Sequence, residues 1–415
     1  MSLNHAPFLI REIRSQRLNV PFHPRSAHTV DVRVPTWSVV DLYRVTLSSG
    51  AVGIGETIDN YTFGTISCER AQALVGRNAM ELLWDDSLGA GVQMALFDAV
   101  GKTAGVPCHR LMGVQHRETC PVSWWAQDMP PELWAAEARS AVEHGFTTMK
   151  VKARPWFDID AQLAAVSDAV PDYFRLDADF NGLLLGVDHA AHIIGSLEEK
   201  YPVLAIVESP IPQEDVAGNA LLRSKVRSPI AMHFGNPPAM TAIRGGVCDG
   251  FVISGGAGRV MSQGTLAEHA SMPFWLQLVG TGLTTIWSCH LGSVLKQARW
   301  PAIPGVNIYE HTLVSLEFSG GHLRVPKGPG LGVELDEEAI ARFEVAADFQ
   351  KQLPREIHTI HWPDGRQDHY PDGSYRQDFL EGKLHPGFLP GIHTDRVLDN
   401  GSAEFDKHWR ELFAR

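Results

Sequence analysis

Three short segments decide the fold: Met149-Lys150-Val151-Lys152, Arg175-Leu176-Asp177-Ala178-Asp179-Phe180-Asn181 and Ile206-Val207-Glu208-Ser209-Pro210. Each is a brief apolar run that ends in charge, and each precedes a segment with helical spacing. Successive side chains on a strand point to opposite faces, so Lys150 and Lys152 share one face. Two ammonium groups, an aspartate and a glutamate at strand ends are what a metal-and-base site on a parallel barrel requires.

Outward from these segments the chain reads as a repeat beginning at Thr119. Strands are expected at 121–126, 148–153, 173–177, 203–208, 230–233, 250–254, 274–278 and 306–309. Helical spacing falls between them, at 131–143, 159–169, 189–200, 259–270 and 284–299. This alternation fits a parallel barrel better than an open doubly wound sheet. No Gly-x-Gly-x-x-Gly follows the first strand, which weakens a dinucleotide-binding reading. Upstream, 8–20 and 38–47 read as strands, with a turn at Ser48-Ser49-Gly50 and a polar loop, 21–35, carrying His23, Arg25 and His28. Helical spacing follows from 67 to 111. After Ser315 come hairpin-like strands and turns, then a helix expected over 336–353. The expected domains are an α+β capping domain, 1–118, to which 316–345 returns, a barrel, 119–315, and a C-terminal extension, 346–415, read as an ordered appendage or an oligomer contact.

The 415 residues are 44% apolar and 20% charged, the composition of a globular protein with more than one core. No apolar run approaches the roughly 18 residues that span a bilayer. No secretory signal is apparent, and five widely spaced cysteines without metal spacing read as reduced thiols, so a cytoplasmic protein is expected. A net charge of −12 without a basic run argues against nucleic acid or an anionic membrane as partner. A small carboxylate substrate can still be held by local cations.

These residues resemble the enolase superfamily, in its mandelate racemase and muconate lactonizing enzyme branch. The likeness covers roughly residues 8 to 345. It rests on Gly53-Ile54-Gly55-Glu56, Ala95-Leu96-Phe97-Asp98 with Gly101-Lys102 and Gly105-Val106-Pro107, Lys150-Val151-Lys152, Leu176-Asp177-Ala178-Asp179, Val207-Glu208-Ser209-Pro210 and Gly328-Pro329-Gly330-Leu331-Gly332. The resemblance implies an α/β fold, a modified (β/α)7β TIM-type barrel under an α+β capping domain, and a homo-oligomer. It implies Mg²⁺ held by three acidic side chains and removal of the proton α to a carboxylate. Asp177 and Glu208 fall on the first two ligand positions; Lys152 falls on the base, with Lys150 beside it. The chemistry agrees: the dianionic enolate needs concentrated positive charge, and a neighbouring ammonium and a cation lower the pKa of the lysine that must be neutral.

The chain departs from the family at the third ligand. The run Ile230-Ala231-Met232-His233-Phe234-Gly235-Asn236 offers only His233 or Asn236. Two carboxylates with a histidine bind Mg²⁺, Mn²⁺ or another divalent ion, or leave a weak or empty site; imidazole suits Mn²⁺, Fe²⁺ or Zn²⁺ better than Mg²⁺. Ser254 and Gln277 stand where the sixth and seventh strands usually end in a base, so the opposing base of a racemase is missing. Each residue also has a plainer reading. The lysines could lie on an exposed edge strand; Asp177 and Glu208 could cap helices or pair with those lysines. Asp179 caps a helix or faces the site. Ser254, Gln277 and Asn236 are expected to line the pocket. Glu310 and His311 are candidates for a replacement acid, though His311 could point into the cap. Gly255-Gly256-Ala257-Gly258 is an anion cradle or a tight turn. His23, Arg25 and the segment with Tyr61 are expected to cover the pocket and set specificity.

The function expected is that of a lyase: metal-assisted proton abstraction α to a carboxylate, in the dehydration of a sugar acid or related hydroxycarboxylate. The alternatives are an epimerase or cycloisomerase of the same superfamily, and a catalytically silent relative that binds a carboxylate or serves as a scaffold.

Overall fold

The protein is described from a computed structural model, which covers residues 6–58, 64–385 and 387–413. Its central element is a seven-stranded parallel sheet. The strands follow chain order: Trp124–Ala126, Thr148–Lys152, Arg175–Asp179, Leu204–Glu208, Ile230–His233, Gly250–Ile253 and Phe274–Leu276. This is the curled sheet of the expected barrel, with helices between the strands. The expected eighth strand is absent: Val306–Ile308 is a 3-10 helix entered through Gly305 at φ +67°, so its backbone turns locally instead of joining a ladder.

The chain divides into two compact units. The first holds residues up to Trp125, His144–Thr148 and Gly250–Lys351. It contains an antiparallel sheet in the order Glu344–Val345, Ile10–Asn19, Val39–Leu47, Val52–Ile58. The helix Gly89–Ala104 lies against the last strand, and glycines make that approach close. A Cβ on Gly53 would sit 2.0 Å from the Ala95 carbonyl oxygen, and one on Gly55 2.2 Å from that of Gly91. Asp98, fully buried on this helix, accepts from Ile54 N at 2.8 Å, Leu331 N at 2.7 Å and Lys102 Nζ at 2.7 Å. A Cβ on the turn residue Gly330, at φ +69°, would lie 2.0 Å from Oδ1 of the same carboxylate. Glu56, also fully buried, accepts from the Thr281 hydroxyl and from Thr284 N at 2.9 Å, which seats it on the N-terminus of the helix Gly282–Val294.

Two further expectations in this unit need correction. The loop 21–35 contains a helix, Pro24–Arg33, begun by Pro24 at its first position and capped by His23. The helix expected over 336–353 ends at Phe343, because Glu344–Val345 pairs with Leu18 and Arg17 instead. A ladder partner won over helical propensity there.

The second unit holds Ala126–Glu143, Met149–Asp249 and Gln352–Arg415. Alternation along Thr148–Lys152 is strict: Met149 and Val151 are fully buried on one face, and the lysines take the other. Asp158 and Asp215 cap the helices Ile159–Ala169 and Val216–Arg223 through Ala161 N and Gly218 N. The C-terminal extension forms an antiparallel sheet with Glu356–His361 between Gln367–Tyr370 and His393–Leu398. Its apolar face joins Trp156, Phe157 and Leu183 to Ile360, Trp362, Tyr375 and Phe379 in one core.

The glycine contacts yield a test. Gly55→Ala is expected to lower stability by about 1–3 kcal/mol, the cost of overpacking a dense interior. Urea denaturation that shows no loss would mean the helix does not lie so close.

Candidate active site

All the charged strand ends singled out above from 150 to 208 belong to the second unit. Asp179 and Glu208 are register partners on adjacent strands, and Glu208 pairs in turn with Ala231. The equal-face rule then puts His233 one step beyond Glu208 on the same side. Lys150 is completely buried; its ammonium contacts Glu208 Oε2 and lies 3.7 Å from Asp179 Oδ2. Lys152 Nζ is 2.5 Å from the same Asp179 oxygen, and its side chain keeps 16% exposure. His233 Nε2 stands 3.1 Å from Glu208 Oε1. Asp179 Oδ1 accepts from Asn181 N at 2.9 Å in a turn where Asn181 has φ +46°. Asp179, expected among pocket-lining groups, is therefore enclosed by its partners.

One member escaped the sequence reading. Arg154 is buried and donates to the carbonyls of Ala153 and Asp179, both at 2.9 Å, and to Asn181 Oδ1 at 2.5 Å. The signal was available: Lys150, Lys152 and Arg154 continue one period of two past the strand end.

The electrostatics follow from burial and pairing. Asp179 is held well below the usual carboxylate range: burial pushes it up, but Lys152, Lys150 and Arg154 outweigh that. For Glu208, burial and Asp179 push up, and Lys150 with His233 hold it low. Lys152 is lowered, first by burial and then by Lys150, against the opposing pull of Asp179. Asp177 is raised to about 7 by burial, and Glu208 adds to the rise while Lys150 opposes it. Its Oδ2 is buried without a hydrogen-bond partner.

The Mg²⁺ that the family resemblance implies does not fit these residues as they stand. The Lys150 ammonium already contacts Glu208, and His233 takes the other oxygen of that carboxylate. Among the described residues no three His, Cys, Asp or Glu side chains are grouped to hold a metal ion. That leaves the Asp177 carboxyl group, whose buried Oδ2 has no hydrogen-bond partner, and one carboxylate does not make an octahedral site.

Asn236 is exposed in the turn after His233. In the first unit, Ser254 and Gln277 follow neighbouring strands, and Gln277 N donates to Ile253 O at 2.9 Å. His311 is taken up locally, Nε2 3.4 Å from Asp336 Oδ2 and Nδ1 accepting from Leu313 N. Glu310 is exposed, with its N bonded to Pro21 O. His23 accepts from Arg25 N, and the Arg25 guanidinium lies over the Trp124 ring at 5.4 Å. Tyr61 lies outside the described residues.

Residues 133–339 match the family model described as Enolase C-terminal domain-like. The chain belongs to the enolase superfamily, in its mandelate racemase/muconate lactonizing enzyme branch. Muconate cycloisomerase 1-1 of Acinetobacter lwoffii is 27% identical over 76% of this chain and 92% of the relative. D-galactonate dehydratase of Ralstonia nicotianae is 24% identical over 77% and 94%. The crystal structure of a mandelate racemase/muconate lactonizing family protein from Azoarcus sp. EbN1 superposes with a TM-score of 0.66, at 26% identity, over 82% of this chain and 98% of that one. The relatives of this superfamily member are thus enzymes with different reactions, which leaves its own reaction to its site.

The raised carboxyl of Asp177 gives a signed expectation. A group whose folded pKa lies above its unfolded value of 3.8 adds stability below that value, and the contribution is lost as pH rises through about 7. Asp177→Asn should therefore melt progressively higher than the parent as pH goes from about 4 to about 8, by at most a few kcal/mol at about 1.4 kcal/mol per pKa unit. A difference that shrinks or reverses over that range would show the carboxylate to be held by a cation.

Proposed function

We propose that this protein acts on a small carboxylate, with Lys152 as the single base that removes the proton α to the carboxyl group. The observation that carries the reading is the contrast between the two lysines. Lys150 is sealed among acids, while Lys152 keeps 16% exposure and a lowered pKa. A lysine with both properties can be neutral and can reach a ligand. Ser254 and Gln277 at the positions of the usual opposing bases favour a one-base reaction over racemisation.

The reaction we favour is loss of water from a hydroxycarboxylate of the sugar-acid type. The Cα proton passes to the Lys152 amine, the freed pair forms the Cα–Cβ double bond, the β-hydroxyl departs as water once protonated, and the resulting enol takes a proton at Cβ as its hydroxyl loses one, giving the 2-keto acid. His233, with a side chain 37% exposed beside Glu208, is the candidate acid for that departure. The similarity to D-galactonate dehydratase supports this reading. The similarity to muconate cycloisomerase supports a second one, in which the same lysine exchanges a proton during ring closure or opening without loss of water. The division into a capping domain at 1–118 with 316–345, a barrel at 119–315 and an extension remains part of the proposal.

The test is a panel of sugar acids and muconates in D₂O. Dehydration predicts release of water and a 2-keto acid product; cycloisomerisation predicts deuterium in an isomer of unchanged composition. Lys152→Ala is expected to lower turnover by at least about 10²-fold. The parent rate should fall as pH drops below the lowered lysine pKa, since the amine must be neutral. An active enzyme that keeps its rate in Lys152→Ala would end the proposal.

A further inference from the structure

We propose that the Lys150 ammonium is a built-in cation that takes the place of a divalent metal at Glu208, so that the site works without one. Asp177, Asp179 and Glu208 are buried, and Lys150, Lys152 and Arg154 stand among or beside them in the same unit. While Lys152 is protonated, three cationic side chains face three carboxylates, so a divalent ion would enter a group with little net negative charge to draw it. The oxygens of Glu208 and Asp179 are also taken. Glu208 Oε2 contacts Lys150, Glu208 Oε1 faces His233, Asp179 Oδ2 faces Lys152 and Asp179 Oδ1 accepts from Asn181 N.

Geometry points the same way. Mg²⁺ demands near-octahedral oxygen ligands at about 2.0–2.1 Å, and a Lys150 ammonium touching Glu208 occupies the volume such an ion would need. His233 fits this arrangement. An acid at that position would add a fourth carboxylate to a balanced group, whereas an imidazole can donate to Glu208 without adding negative charge. The replacement of the third acid and the inward turn of Lys150 therefore belong together: each makes the other tolerable. An ammonium brings one charge where a metal brings two, so the site stabilises a developing enolate less than its relatives' metal would, and favours substrates whose α proton is more acidic.

This inference shares its site with the proposed reaction, but it is tested by metal binding, which reads out whether or not turnover is found. The EDTA-treated, dialysed protein is titrated with MgCl₂ and with MnCl₂ up to about 10 mM, beyond the millimolar Kd of weak protein sites. Calorimetry follows heat, and electron paramagnetic resonance follows free Mn²⁺. The result expected is no saturable heat and no loss of free Mn²⁺ signal beyond that of Asp177→Asn. A saturable site present in the parent and lost in Asp177→Asn would overturn the proposal. The variant Lys150→Met with His233→Asp removes the ammonium and adds the third acid, and is expected to gain Mn²⁺ binding. If it folds and still binds nothing, Lys150 is not what displaces the metal, and the proposal fails on that side. Should it not fold, the titration of the parent still decides.

Discussion

A fully buried ammonium must be paired, and the second unit is arranged around that requirement. Taking an ion out of water costs several kcal/mol even after relaxation, and only close opposite charges with good geometry offset it. Lys150 meets this with Glu208 and Asp179, which its strand register brings to the same face. Asp179 in turn fixes Lys152, and its backbone carbonyl fixes Arg154. The order therefore runs from the alternation of one strand to a closed ionic group, and from that group to one lysine with residual exposure.

The loops that carry this group are held from outside by the C-terminal extension. Phe388 N donates to Pro155 O at 2.9 Å, and Asp158 accepts from Gly391 N while its own N donates to Ile392 O. Gly387, at φ +77°, approaches Pro155 so closely that a Cβ would lie 2.1 Å from the Pro155 oxygen. The Phe388 ring also meets Phe180, just past Asp179, at 5.6 Å. Residues 153–158 and 180–185 thus share a core with the appendage, which limits how far Arg154 and Asn181 can drift. An appendage that buries Trp156 and Tyr375 completely is part of the unit's stability.

Much of this was legible in the sequence. A period of two in Lys150-Val151-Lys152 fixes a shared face, and the turn chemistry of Gly328–Gly332 demands backbone that only glycine adopts freely. The helical segments of the repeat were readable from apolar spacing. What was not legible depended on partners. Val306–Ile308 has strand composition but no ladder to join, and Glu344–Val345 has helical neighbours but a strand to pair with. In the site, alternation shows which side chains face inward but not which atom each one meets. A lysine beside a metal and a lysine in place of a metal have the same spacing. Arg154 was missed because the expected strand stopped at Ala153, although the alternation did not.

The central claim is that Lys150 and Glu208 exist for one another. A double-mutant cycle with Lys150→Met and Glu208→Gln, read by urea denaturation, measures that directly. The account predicts that each single change costs about 3–5 kcal/mol, because it leaves a buried charge without its closest partner. It predicts that the double variant recovers about 2 kcal/mol or more of the summed loss. Effects that add to within about 0.5 kcal/mol would contradict it.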